Sequence, residues 1–202
     1  MYNLIKRLFL TTILAICSFV MLACGAEQSE QYTAQTAKVS ISDTQAITNK
    51  KTLVVYFSHS GKTQTVANLI RRNLNADIVR IEPREPYSQV YRETTQRARK
   101  ELDNDTYPEI KNIDVKVSDY DVIFLGYPIW GGRAPRPVMT FLASQDFTDK
   151  TVITFCTSGG SPISGSTPEI KAQIPNANII EGIRTYPGNE TATLNWLNNL
   201  KL

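Results

Sequence analysis

The sequence has few of the residues on which most metal sites and disulfide frameworks depend. It contains three cysteines and one histidine in 202 residues. So few cysteines exclude a disulfide-built fold, and a lone histidine gives no metal-ligand pattern. Neither charge dominates, since 22 Lys and Arg face 19 Asp and Glu for a net charge of +3. Without a long basic run, this balance argues against nucleic-acid binding.

Three common catalytic or nucleotide-binding motifs are also missing. There is no Gly-x-Gly-x-x-Gly run for a dinucleotide and no Gly-x-Ser-x-Gly elbow for a hydrolase around His59. The segment Gly61-Lys62-Thr63 resembles the end of a P-loop, but Tyr56 stands where that motif needs its first glycine. The sequence therefore disfavours hydrolysis of nucleoside triphosphates.

The N-terminus is typical of an export signal. Lys6 and Arg7 precede the mostly apolar run Leu8–Ala23, which is shorter than the ~20 residues that span a bilayer. The run ends in Met21-Leu22-Ala23-Cys24-Gly25 and resembles a bacterial lipoprotein signal. The resemblance implies that Cys24 becomes the first mature residue and carries lipid, each buried CH2 contributing ~0.8 kcal/mol to membrane binding.

An uncleaved anchor helix is the alternative, and either arrangement places the rest of the chain outside the cytoplasm. Cleavage would remove Lys6 and Arg7 and leave Cys156 as the free thiol. Gly25 lacks the acidic character that often retains lipoproteins at an inner membrane, so the periplasmic side of an outer membrane is expected if there are two membranes. We expect a signal peptide over 1–23, a flexible tether over 24–50, and a folded domain over 51–202.

Beyond the tether, apolar runs alternate with helical patterns. Alternation of this kind predicts βαβ units and a parallel sheet covered on both faces. The predicted strands are Leu53–Phe57, Ile78–Ile81, Asp121–Gly126, Thr151–Cys156 and a weaker Ile179–Ile183; the predicted helices are Thr63–Leu74, Arg92–Leu102, Pro137–Ala143, Thr167–Gln173 and Thr191–Leu200.

Residues 82–120 are too long and too rich in proline for one tight crossover. Their helical part, Arg92–Leu102, is heavily charged, which is typical of a solvated surface helix. A lid over the strand ends is the alternative, and ligands of open α/β sheets do bind at those ends.

The turn after the first strand, Ser58 to Thr63, combines hydroxyls with Gly61 and opens directly into a helix. A helix N-terminus offers unpaired N–H groups and a favourable dipole, so this turn predicts a phosphate site. A well-capped turn without a ligand is the alternative.

The loops after the third and fourth strands complete a possible ligand site. Trp130 lies among glycines and prolines in Tyr127–Pro137, and an aromatic ring at a ligand edge favours a planar heteroaromatic partner. Cys156–Ser166 is rich in glycine and hydroxyls and offers hydrogen-bond donors. Together the three loops match a ligand in which a single phosphate is joined through a chain to a planar ring, as in flavin mononucleotide (FMN).

With these three segments, Tyr56–Thr63, Gly126–Trp130 and Cys156–Gly160, the chain resembles the flavodoxins. The resemblance implies a flavodoxin-like, doubly wound α/β fold with a five-stranded parallel sheet of order 2-1-3-4-5. It also implies the cofactor FMN and its contacts. The phosphate would lie against Ser58, Ser60, Gly61, Lys62 and Thr63 with His59 alongside; the ring against Pro128, Ile129, Trp130 and Gly131; the pyrimidine edge against Thr157, Ser158, Gly159 and Gly160.

Many flavodoxins stack a second aromatic ring on the flavin from the loop after the fourth strand, and residues 157–166 contain none. Tyr87 or Tyr91 is the expected substitute. Three functions follow as hypotheses. The first is an electron-transfer protein, lipid-anchored at Cys24, that serves a redox protein or a quinone. The others are an FMN-dependent NAD(P)H or quinone oxidoreductase, and a flavodoxin-fold binding protein without flavin.

Overall fold

The computed structural model describes residues 50–200. The expectations for the signal peptide, for lipidated Cys24 and for nearly all of the tether fall outside these residues. The strands are β1 (Thr52–Phe57), β2 (Asp77–Ile81), β3 (Val122–Pro128), β4 (Thr151–Thr157) and β5 (Asn178–Thr185); the helices are α1 (Lys62–Leu74), α2 (Tyr91–Asp103), α3 (Arg136–Ala143), α4 (Thr167–Gln173) and α5 (Glu190–Asn198).

The five strands form one parallel sheet in the order β2-β1-β3-β4-β5, which confirms the predicted fold and strand order. All residues of β1 and six of the seven in both β3 and β4 are buried. Helices cover both faces of these central strands, so their sequences are continuously apolar rather than alternating. The edge strands β2 and β5 are largely half-buried or exposed.

Alternate residues of β1 contribute to two separate cores. Val54 and Tyr56 pack on the face covered by α1 and α5, whereas Leu53, Val55 and Phe57 pack on the face covered by α3 and α4. Because successive side chains of a strand point to opposite faces, β1 packs against the helices on both sides of the sheet. The last residue of β1, Phe57, therefore lies in the core directly beneath the carboxyl edge of the sheet.

Gly126 of β3 makes room for a neighbouring aromatic ring. It pairs with Phe155 of β4, and a Cβ atom at Gly126 would lie 2.1 Å from Phe155 Cζ. Any side chain there would overlap a fully buried ring. This close approach explains the glycine that precedes Tyr127.

The long segment after β2 leaves the sheet and returns beside its point of departure. Pro83 and Ile110 form an isolated antiparallel bridge. The Arg84 N–H donates to the Glu109 carbonyl at 2.8 Å, and the Lys111 N–H donates to the Glu82 carbonyl at 2.7 Å. These contacts form a clasp at residues 82–84 and 109–111, and α2 lies within the loop that the clasp closes.

Among residues 50–200, no helix combines the length and the hydropathy needed to cross a bilayer.

Candidate functional site

The loops after β1, β3 and β4 meet at the carboxyl edge of the sheet. The Ile129 N–H donates to the Thr157 carbonyl at 3.0 Å, which joins the second loop to the third. The hydroxyls of Thr63 and Thr157 lie 2.8 Å apart, which joins the first loop to the third. The ring centroids of Phe57 and Trp130 are 5.4 Å apart. The three segments singled out in the sequence thus surround one site.

The first loop presents backbone donors at the start of α1. Gly61 has φ +83 and precedes the helix, and its carbonyl accepts from the Thr65 N–H at 3.0 Å. This left-handed conformation favours glycine. Within residues 50–200 no side chain caps α1, so the N–H groups of its first turn have no side-chain acceptor. An anion would fit these donors and the helix dipole.

Ser58 begins the same turn and offers an additional polar atom. Its side chain is buried, with 3% exposure, and Oγ has no hydrogen-bond partner among residues 50–200. A buried hydroxyl without a partner costs about 1–3 kcal/mol. A phosphate oxygen would remove that cost, so the residues present fit a phosphate group. Ser60 and Lys62 are exposed at the rim, where further contacts to an anion are accessible.

The second loop presents Trp130 on a tight turn. Trp130 and Arg133 exchange two backbone hydrogen bonds of 3.0 Å, and the intervening Gly131 and Gly132 have φ values of +56 and +82. Positive φ at both central positions is the type I′ pattern, which other residues adopt with strain. The two glycines therefore allow the turn that fixes the half-buried Trp130 beside the first loop.

Trp130 belongs to an aromatic cluster of four rings. Its centroid lies 4.9 Å from Tyr87, 5.4 Å from Phe57 and 6.0 Å from His59, in T-shaped arrangements. Such pairs contribute about 0.5–1.5 kcal/mol beyond the area they bury. Of the two tyrosines expected near the site, Tyr87 belongs to this cluster and Tyr91 lies 82% exposed on α2. Sequence reasoning placed Phe57 only in a strand, although its position next to Ser58 indicated that it lies at the edge.

The third loop forms an open rim. Ser158 Oγ accepts from the Gly160 N–H at 3.1 Å, and Gly159 and Gly160 are exposed, with no atom within 4 Å of where a Cβ would lie. A ligand edge can approach the backbone there. Farther along, a Cβ at Gly165 would lie 2.6 Å from the Gly132 carbonyl oxygen, so the third loop packs closely on the Trp130 turn.

Comparison with protein families identifies the fold family. The family model for flavodoxins matches residues 51–200. The chain belongs to the flavodoxin family. This flavodoxin is 35% identical to a protein assigned as a flavoprotein from Bacteroides eggerthii, with a TM-score of 0.68 over 76% of this chain and 99% of that chain.

Two further solved structures are similar to this flavodoxin. A protein assigned as a flavoprotein from Bacteroides uniformis is 31% identical, with a TM-score of 0.68 over 74% of this chain and 98% of that one. A flavoprotein from Lactobacillus acidophilus, solved in complex with FMN, is 24% identical, with a TM-score of 0.63 over 73% and 99%. A search of curated proteins found no match.

Cys156 lies in β4 next to Thr157 but is not presented to the site. Its side chain is fully buried, and this burial raises the pKa of its thiol to about 12. The reactive form of cysteine is the thiolate. Cys156 therefore behaves as a small apolar residue of the core.

We expect iodoacetamide to alkylate Cys156 at pH 8 at least about 100 times more slowly in the folded protein than in urea. A thiol with a pKa near 12 carries roughly a thousandth of the thiolate of an ordinary cysteine at that pH, and burial also excludes the reagent. Mass spectrometry of the peptide that contains Cys156 measures the rate. Equal rates in the two states would show an accessible, reactive thiol.

Proposed function

We propose that this flavodoxin binds FMN between its three loops and carries electrons for a redox protein or a quinone. One observation carries the proposal: within residues 50–200 the buried hydroxyl of Ser58, in the turn that leads into α1, has no partner, and no side chain caps that helix. Phe57, which precedes this turn, packs against Trp130 of the second loop. A phosphate and a planar ring on one ligand satisfy both features. The FMN complex of the Lactobacillus acidophilus flavoprotein, which has the same fold, supports the assignment.

Each loop would hold a different part of the cofactor. The phosphate would be held by Ser58, Ser60, Gly61, Lys62 and Thr63, with His59 alongside; the ring by Pro128, Ile129, Trp130 and Gly131; the pyrimidine edge by Thr157, Ser158, Gly159 and Gly160. When bound, the flavin supplies the redox chemistry, and the protein supplies binding, orientation and electrostatics. Backbone N–H groups at the start of α1 would stabilise the charge of the phosphate, and Trp130 would exclude water from one part of the ring.

The phosphate assignment predicts that Gly61→Val weakens FMN binding by about a hundredfold or more. A β-branched residue at φ +83 is strained and shifts the turn that presents the N–H groups. Gly188→Val is the matched control, since Gly188 has φ +94, also has open space around its missing Cβ, and lies outside the three loops. Quenching of flavin fluorescence on titration into the unloaded protein measures both affinities.

Equal affinities of the Gly61→Val and Gly188→Val variants would remove the first loop from the site. A wild-type protein that remains colourless after incubation with FMN would favour the flavin-free alternative.

An enzymatic role is the second candidate, because a cleft adjoins the aromatic cluster. The cleft holds about 200 Å³ and lies between the first loop and the segment after β2. Phe57, His59 and Tyr87 line it together with the charged side chains of Arg80, Glu82 and Lys111. This volume is small beside the ~300–1,000 Å³ of ordinary ligand pockets. It would admit a single-ring substrate beside Phe57, His59 and Tyr87, three of the four rings of the aromatic cluster.

If the protein is an electron carrier, the FMN-loaded form should not oxidise NADH or NADPH with a soluble quinone faster than free FMN does. The electron-transfer proposal needs no pocket for nicotinamide, and these cofactors are scarce outside the cytoplasm. Absorbance at 340 nm follows the reaction. Turnover near the ~10 s⁻¹ typical of enzymes would establish the reductase instead.

We also propose that lipid on Cys24 holds the domain at the outer face of a bacterial membrane, and at the periplasmic side of the outer membrane where two membranes exist. The support is the sequence Leu22-Ala23-Cys24 after an apolar run too short to span a bilayer comfortably. A membrane location would give direct access to quinones or to membrane redox proteins.

Cys24→Ser should abolish palmitate labelling and release the protein from the membrane fraction. Cys17→Ser, the same change within the apolar run, should leave labelling and location unchanged. Metabolic labelling with palmitate and cell fractionation measure the two effects. Retention of unlabelled Cys24→Ser protein in the membrane would favour an uncleaved anchor helix.

A further inference from the structure

We infer that α2 braces the aromatic side of the flavin site, and that Arg97 and Glu101 are positioning residues that act on Trp130 through Tyr87. The effect on FMN rests on the proposed function, whereas the effect on Trp130 does not. The inference assigns a role to the long segment after β2.

Tyr87 connects this segment to the site. Its side chain is 5% exposed, and its ring lies against Trp130, Phe57 and His59 at centroid distances of 4.9, 6.0 and 6.3 Å. The rings of Phe57, His59 and Trp130 thus all contact Tyr87, which itself lies outside the first and second loops. If Tyr87 were displaced, the Trp130 ring would lose a packing contact on one side.

Glu101 and Arg97 hold Tyr87 from α2. The Tyr87 hydroxyl donates to Glu101 Oε2, and Arg97 Nε donates to Glu101 Oε1 at 2.8 Å. The Arg97 guanidinium also lies 4.1 Å from the centre of the Tyr87 ring, within the range of a cation–π contact. Burial, and next the hydrogen bond to Glu101, raise the pKa of Tyr87, so its phenol remains a donor.

Arg97 also fixes the backbone on which Tyr87 is carried. One of its terminal nitrogens donates to the carbonyls of Glu85 and Pro86 at 3.0 and 3.1 Å. The arginine therefore contacts the carboxylate, the ring and the preceding peptide groups together. Removing it would leave the buried carboxylate of Glu101 without its cation, which costs far more than losing an exposed ion pair.

These polar contacts dominate the attachment of α2. Thr94 and Glu101 are its only buried residues, so the helix gains little from apolar burial. The half-buried Leu102 lies 3.6 Å from where a Cβ on Gly131 would be, so α2 also abuts the Trp130 turn. Arg136 of α3 pairs with Asp105, just beyond the helix, at 2.8 Å. The carboxyl end of α2 is thus held against the Trp130 turn and α3.

The test compares two arginines of the same helix in the full-length protein. Arg97 pairs with Glu101 and Arg99 pairs with Asp103, both at i,i+4 spacing, but the Arg99 side chain is 83% exposed. In a Trp196→Phe background, which leaves Trp130 as the sole tryptophan, we expect Arg97→Ala to shift the emission of the FMN-free protein to the red. Arg99→Ala should leave the emission unchanged.

Loading with FMN tests the second half of the inference. Arg97→Ala should weaken FMN binding about tenfold and, at saturating FMN, shift the midpoint potential, whereas Arg99→Ala should stay within about twofold of the wild type and keep its potential. If Arg97→Ala does not fold, Tyr87→Phe replaces it, because this variant keeps the ring and deletes the hydroxyl. It should shift the emission and the potential in the same directions and weaken FMN binding about threefold. Its effect should not add to that of Glu101→Gln.

The outcomes are separable. Identical Trp130 emission in Arg97→Ala and Arg99→Ala, or, where Arg97→Ala does not fold, in Tyr87→Phe and the wild type, would overturn the brace whatever FMN does. An emission shift with unchanged FMN affinity and potential would overturn the role toward the cofactor. A wild-type protein that binds no FMN would refute the proposed function, while the emission comparison would still decide whether α2 holds Trp130.

Discussion

The candidate site depends on the pairing of β3 between β1 and β4. Tyr56 is registered with Gly126, and Pro128 is registered with Thr157. Because the strands are parallel, their carboxyl ends meet at one edge, and the loops that follow them are forced together. The hydrogen bond from Ile129 to Thr157 extends this pairing past the end of the strand. A slip of one residue in β3 would turn Trp130 away from the first loop.

At this edge of the sheet, residues 50–200 provide hydrogen-bond partners for some of the buried hydroxyls but not for all of them. Thr63 and Thr157 satisfy each other, and the hydroxyls of Tyr127 and Ser166 do the same at 2.9 Å. Ser58 Oγ, by contrast, is buried and unpaired within residues 50–200. Buried polar groups in native proteins almost always have a partner. The contrast between paired and unpaired hydroxyls at one edge is the physical basis for assigning a ligand to the first loop.

The sequence predicted the elements whose chemistry is local. The apolar runs predicted all five strands, the turn from Ser58 to Thr63 predicted the start of α1, and the strand order followed from the family resemblance. Contacts between residues that are distant in the sequence could not be predicted from the sequence. Nothing in the composition of Arg92–Leu102 distinguishes Arg97 from Arg99, since each has an acidic residue four positions later. Only the folded positions show that one pair is enclosed by Tyr87 and the other faces solvent.

The clasp between residues 82–84 and 109–111 closes the intervening segment into a loop. Its two ends are joined by backbone hydrogen bonds, so the segment leaves the sheet and returns at the same place whatever its length. Doubling the length of a flexible loop costs only ~0.6 kcal/mol of closure entropy. Residues can therefore be added to or removed from the enclosed segment without disturbing strand order, provided that Tyr87 and the α2 side chains that hold it are kept. Length changes of that kind would leave the three loops of the candidate site, and the contact of Tyr87 with Trp130, where they are.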